Sequence, residues 1–268
     1  MENKLKGLSR MALWESIVFT AIPAVLAYLA MWILAPAFQT WFGQPFLVGY
    51  LVAWVSMEAL IFLASLLAYK IEGNAVDWRG LKKRYRIKRI QRGDIGWAVV
   101  TLVVMLGTYL ALGFTAHWLA DFPAFAPHPA FPPELKPGAE QDIIPGIFMG
   151  MQLKGLWWVL IAYLIGWFLN IAGEEMWFRG FMLPRQELTY GKVAWLVNGL
   201  CFNFFHIMWK WNLIALLPGS LFLSYVTQRR QNTSVAMLVH GVLNLSTAIA
   251  IAAGVAGWGA AYQETAHV

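Results

Sequence analysis

One cysteine in 268 residues, Cys201, removes two classes of protein at once. Neither an intrachain disulfide nor a cysteine-based zinc finger can form, and within an apolar run Cys201 reads as a small buried hydrophobe. Charge is scarce too, at 13% of residues, where a soluble domain carries about a quarter. No HExxH motif is present, no internal repeat, and no stretch with the composition of a separate soluble domain. Ser220, Ser224 and Ser246 have no evident base beside them, so a serine nucleophile has no support. What fills the chain instead is apolar, 59% of residues. That excess apolar surface has only lipid to face. The expected fold is an all-α, polytopic transmembrane helix bundle, one integral membrane domain over residues 1–268.

Runs close to the ~20 residues that cross a bilayer fall at 14–35, 45–69, 95–120, 156–183, 193–210, 212–227 and 234–258. That predicts about seven spans, the sixth kinked or tilted by Pro218-Gly219. The apolar stretch from Ile17 to about Ala37 is too long for a signal core and lacks a small-residue cleavage site, so it is expected to stay as the first span. Basic residues then set the orientation. With the amino terminus cytoplasmic, the inner side takes Lys4, Lys6, Arg10, nine residues between Lys70 and Arg92, Arg179, Arg185, Lys192, Arg229 and Arg230. Only Lys136, Lys154 and Lys210 remain outside. This asymmetry is what the positive-inside rule demands. It also explains the net charge of +6 without nucleic acid. For the basic loop 70–92, topology control weighs ahead of binding to anionic lipid. The Pro- and Ala-rich loop 121–145 suits an extended connector or a cap over the outer face.

Against this background the polar groups stand out. Leu156 to Ile171 carries no charge, yet Glu174-Glu175 and Arg179 follow directly. A charge at membrane depth costs roughly 2.5–3.5 kcal/mol on insertion scales, so such residues mark functional sites by default. Asn203 with His206, and His240 with Asn244, lie in later apolar segments. Helix rise puts Glu174 ~14 Å, His206 ~21 Å, His240 ~9 Å and Asn244 ~15 Å from the inner ends of their spans, one inner-to-middle layer. Glu175 and Arg179 are i and i+4 and can pair, which leaves Glu174, rotated by about 100°, free for other chemistry. His240 and Asn244 share a face, as do Asn203 and His206. Glu174 and His206 are thus placed to activate a water, while His240 and Asn244 donate to a developing oxyanion. Each group also has a plainer reading: an interfacial ion pair, a packed histidine, an interhelical hydrogen bond. Glu58, midway along the second span, either faces the same cavity, contacts a substrate amine, or bonds a neighbouring helix.

At these residues the sequence resembles the CAAX-protease and bacteriocin-processing (CPBP, or Abi) family of intramembrane glutamic endopeptidases. Its motifs EExxxR, FxxxH and HxxxN appear in order as Glu174-Glu175…Arg179, Phe202…His206 and His240…Asn244. The resemblance covers roughly residues 150–250, the expected catalytic core. It implies hydrolysis of a peptide bond in a membrane-associated or lipidated, CAAX-like substrate, within a bacterial plasma membrane. Glu174 would be the base, His206 its assistant, His240 and Asn244 the oxyanion site, and Glu175 and Arg179 supporting partners. Metal-free catalysis weighs ahead of zinc, for which Glu174, His206 and His240 would be the ligands. A non-proteolytic scaffold or immunity protein, or a proton-coupled transporter, are the other classes; no duplicated halves favour the transporter. The cavity is expected to open toward the cytoplasmic side or laterally to lipid.

Overall fold

The computed structural model describes residues 8–139 and 142–258. Lys4 and Lys6 lie outside the described residues. The chain is an all-α membrane bundle in the order α1 (Leu13–Leu29), α2 (Ala35–Phe42), α3 (Phe46–Ile71), α4 (Trp78–Arg84), α5 (Arg92–Leu112) and α6 (Phe114–Ala120). Then come α7 (Trp157–Glu174), α8 (Leu183–Tyr190), α9 (Ala194–Phe205), α10 (Leu213–Arg230) and α11 (Thr233–Val255). The single sheet among the described residues is a two-residue hairpin, β1 (Ile147–Phe148) against β2 (Met151–Gln152).

Among the described residues, five helical stretches are long and apolar enough to cross a membrane: Leu13–Phe42, Phe46–Ile71, Arg92–Leu112, Trp157–Arg230 and Thr233–Val255. The fourth is composite and contains the three sequence runs 156–183, 193–210 and 212–227. Within it α9 is only 12 residues, about 18 Å at helical rise, against a hydrocarbon core of about 30 Å. The chain therefore turns back at His206–Asn212, with Trp209 in a non-helical conformation (φ −107°, ψ 49°). Irregular backbone at such depth is tolerated where protein buries it or where it lines a cavity. Here Trp32 Nε1 donates to the Met208 carbonyl at 2.9 Å. One further run differs from expectation: the third breaks at Gly113 into α5 and α6, while α10 holds Pro218 within it.

The two ends of the bundle are unlike. One gathers the arginines: Glu72 accepts from Arg84 Nε at 2.6 Å and from Arg185 Nη2 at 2.7 Å. Arg86 grips Glu187 with both terminal nitrogens, and Arg230 meets Asp94 at 2.7 Å. The other end carries the loop and hairpin between α6 and α7, with Trp32, Phe131 and Trp211 packed together. Between the ends, lipid-facing stripes recur at helical spacing, such as Ile95, Val99, Val103, Leu106 and Leu110 on α5.

α3 and α7 form the central pair, and glycine explains their closeness. A Cβ on Gly166 would overlap the Trp54 ring, and one on Gly173 would lie 3.0 Å from the Phe62 nitrogen and 3.2 Å from the Glu58 carbonyl. Gly166, Asn170 and Gly173 are spaced by four and three residues and share one face of α7. The small residues bring α3 close, and Asn170 lies between them, opposite Glu58.

Candidate active site

Asn170 is the junction of the site, and nothing in the sequence motifs singled it out. Its Nδ2 donates to Glu174 Oε1 at 2.6 Å and to Glu58 Oε1 at 2.8 Å. Its Oδ1 accepts from Asn244 Nδ2 at 2.9 Å. One side chain thus ties α3, α7 and α11 together, and all three of its polar contacts are residues the sequence had already marked. Glu58 is the interhelical partner and also lines the cavity described below; two of its three sequence readings hold together. A polar residue four positions before Glu174 in a charge-free run was the available signal for Asn170.

Glu174 closes α7, where the backbone widens into a π-helical segment, Glu175–Met182. Such segments recur at functional sites because they shift the faces that successive side chains occupy. Glu174 turns to the cavity, while Glu175 and Arg179, both 0% exposed, turn behind it. The ion pair expected from their spacing forms, with Arg179 Nη1 donating to Glu175 Oε1 at 3.2 Å. Arg179, grouped with the cytoplasmic charges from sequence, instead lies wholly inside the protein. The reason is its guanidinium, which has both Glu175 and the Phe202 ring, 3.6 Å from Cζ to centroid, to offset its burial.

That pair reaches both histidines. Glu175 Oε1 lies 3.0 Å from His240 Nδ1, fixing the imidazole on α11. Phe202, under Arg179, presents its carbonyl to His206 Nδ1 at 2.8 Å. In each ring Nδ1 is engaged, so Nε2 is the nitrogen left for chemistry. His206 is the first residue past the end of short α9, which explains its mid-depth position.

Glu58, Asn170, Glu174, His206, His240 and Asn244 all line one cavity of about 640 Å³. Glu58 Oε2 and Glu174 Oε2 are buried with no hydrogen-bond partner in the protein. Asn203 does not join them. Its Nδ2 donates to the Leu213 carbonyl at 3.2 Å, bracing the turn between α9 and α10, because the helix ends at Phe205 and the i, i+3 face it was to share with His206 is lost.

The cavity lies toward the end that carries the loop and hairpin between α6 and α7, away from the arginine-rich end. Its upper lining comes from Pro133–Pro137, Phe148, Met149 and Trp209, and none of it from α4, α8 or the arginine-rich end. The cause lies in α9: it stops halfway, and the space beyond it stays unfilled on the loop side.

Among the described residues, no three His, Cys, Asp or Glu side chains gather closely enough to hold a metal ion.

Buried carboxyls, two oriented imidazoles and two amides thus face one cavity inside a helical membrane bundle. Comparison with known proteins agrees in class. Residues 156–246, about a third of the chain, match the family model of Rce1-like type II CAAX prenyl endopeptidases. This stretch, α7 through most of α11, is similar to that family of membrane proteases. No curated protein and no solved structure matches the chain.

Proposed function

We propose that the protein hydrolyses a peptide bond of a membrane-associated or lipidated substrate by direct attack of water, in a bacterial plasma membrane, with residues 150–250 as the catalytic core. The observation that carries this is Glu174 Oε2, buried, unpartnered and on the cavity wall beside His206 and His240. Glu174 takes the proton from water as it attacks, and His206 Nε2 assists in moving that proton to the leaving amine. His240, held by Glu175, and Asn244, held by Asn170, face the oxygen that gains charge. Asn244 Nδ2 uses one hydrogen on Asn170 and keeps the second for that oxygen. His240 presents Nε2 to that oxygen, its ring held through Nδ1 by Glu175. No covalent intermediate and no metal enters these steps.

Comparison of protein termini in membranes containing wild type or Glu174→Ala tests the reading. A cleaved terminus present with wild type and absent with the variant is expected. Identical termini, with both proteins inserted at equal level, overturn it in favour of a scaffold.

A further inference from the structure

We propose that Glu134 and Met149, at the loop end of the cavity, form a specificity site that takes a lysine or arginine side chain of the bound peptide. This deepens the proteolytic reading and rests on it for the occupant being a peptide. An open carboxyl oxygen, a strained turn and the length of the cavity carry it.

Glu134 is a carboxyl with one oxygen spoken for. It sits on the single turn Pro133–Leu135 and lines the same cavity as Glu174. Its Oε1 accepts from the Met149 N–H at 2.7 Å, whereas its Oε2 is buried with no hydrogen-bond partner in the protein. Lys136 is engaged elsewhere, its Nζ donating to the Pro129 carbonyl at 3.0 Å. A buried acceptor left open is costly until a donor arrives, and a cationic donor makes the stronger bond.

Met149 stands where the hairpin turn favours another residue. Between paired Phe148 and Met151, both Met149 and Gly150 have positive φ, 48° and 80°. Asn-Gly is the usual sequence for such a turn, and a methionine is strained there. Strain of this kind clusters at ligand clamps. The side chain gives the reason to keep it, for Met149 is 2% exposed and lines the cavity. A thioether chain is an adaptable apolar surface. It suits the methylenes of a lysine or arginine whose charged head reaches on to Glu134.

The cavity is long enough to keep this site apart from the reacting bond. Tyr163 and Glu174 both line it, and the rise of α7 from one to the other is ~16 Å. An extended chain covers that distance in about five residues. Glu174 closes α7, and the hairpin that carries Met149 precedes its first turn. The basic side chain therefore belongs several residues from the bond cut, and it sets which peptide is held without touching the chemistry.

Binding measured without cleavage tests the site. The full chain carrying Glu174→Ala, in lipid nanodiscs, is titrated with fluorescent, N-palmitoylated, alanine-rich peptides. In these a single lysine, or norleucine in its place, is moved position by position. At one position lysine should bind about tenfold tighter than norleucine. Adding Glu134→Gln should abolish that advantage at an unchanged thermal midpoint, because glutamine keeps an acceptor for the Met149 N–H. Adding Glu134→Lys instead should transfer the advantage to a glutamate at the same position. Equal binding of lysine and norleucine peptides throughout, an advantage that survives Glu134→Gln, or no binding above empty nanodiscs overturns the site. Unchanged termini with Glu174→Ala would sink the protease reading while leaving these affinities as measured, so the two failures are separable.

Discussion

The amide of Asn170 lies 2.6 Å from the carboxyl of Glu174, one helical turn further along α7. Because the same nitrogen also holds Glu58, and the same amide's oxygen holds Asn244, the proposed base and one proposed oxyanion donor share a single mount. Asn170→Ala should leave both free to drift. A misplacement of the order of 1 Å costs about 10²-fold in rate, so cleavage by Asn170→Ala should fall by about that factor with normal insertion and yield. Glu58→Gln, which keeps an acceptor for Asn170, should lose much less. Equal activity of Asn170→Ala and wild type in a reconstituted cleavage assay would refute the shared mount.

Gly173 sets the distance between α3 and α7, since a Cβ there meets backbone atoms of Phe62 and Glu58 that cannot rotate away. Overpacking of this kind costs about 1–3 kcal/mol. Gly173→Ala should therefore lower the thermal unfolding midpoint in detergent and reduce cleavage together. Gly107→Ala on α5, with nothing within 4 Å of the added atom, is the control and should be neutral or slightly stabilising.

Glu72 supplies a pH dependence at the sealed end. Burial pushes its carboxyl up, but hydrogen bonds from Arg84 and Arg185 outweigh burial and hold it below the usual carboxylate range. A carboxyl depressed in the folded state contributes stability above its unfolded value, about 4.3, and loses that contribution as pH falls through the lower folded value. Thermal midpoints measured from pH 7 down to pH 3 should drop more steeply for wild type than for Glu72→Gln. Parallel curves would show that the clamp contributes nothing to acid stability.

Chelation probes the proposed metal-free step. Because the proposed steps use no metal, cleavage should persist after exhaustive treatment with a strong chelator. Loss of cleavage that added zinc restores would reverse this.

Much of the site could be read from residue order alone, because membrane depth makes polar groups conspicuous. Glu174, Glu175, Arg179, His206, His240 and Asn244 drew notice as costly exceptions in apolar runs, and the Glu175–Arg179 pair followed from spacing. Asn170 escaped because it lies outside the three motifs and carries no charge to flag it. The span pattern was legible where composition was uniform, as in α3 and α11. It was not legible in α9, since Phe202 to Trp211 is as apolar as a true span and composition cannot show that the backbone turns. The same blindness misplaced Asn203, whose place depends on where α9 stops, which tertiary contacts such as Trp32 to Met208 decide.

The halting of α9 partway through the membrane has a mechanical corollary. Thicker or thinner lipid is accommodated by tilting of rods that run from one headgroup layer to the other. A histidine perched on a stub anchored at one layer only is spared that tug from the far leaflet, so its height above the carboxyls is set by the protein and hardly by the surrounding acyl chains.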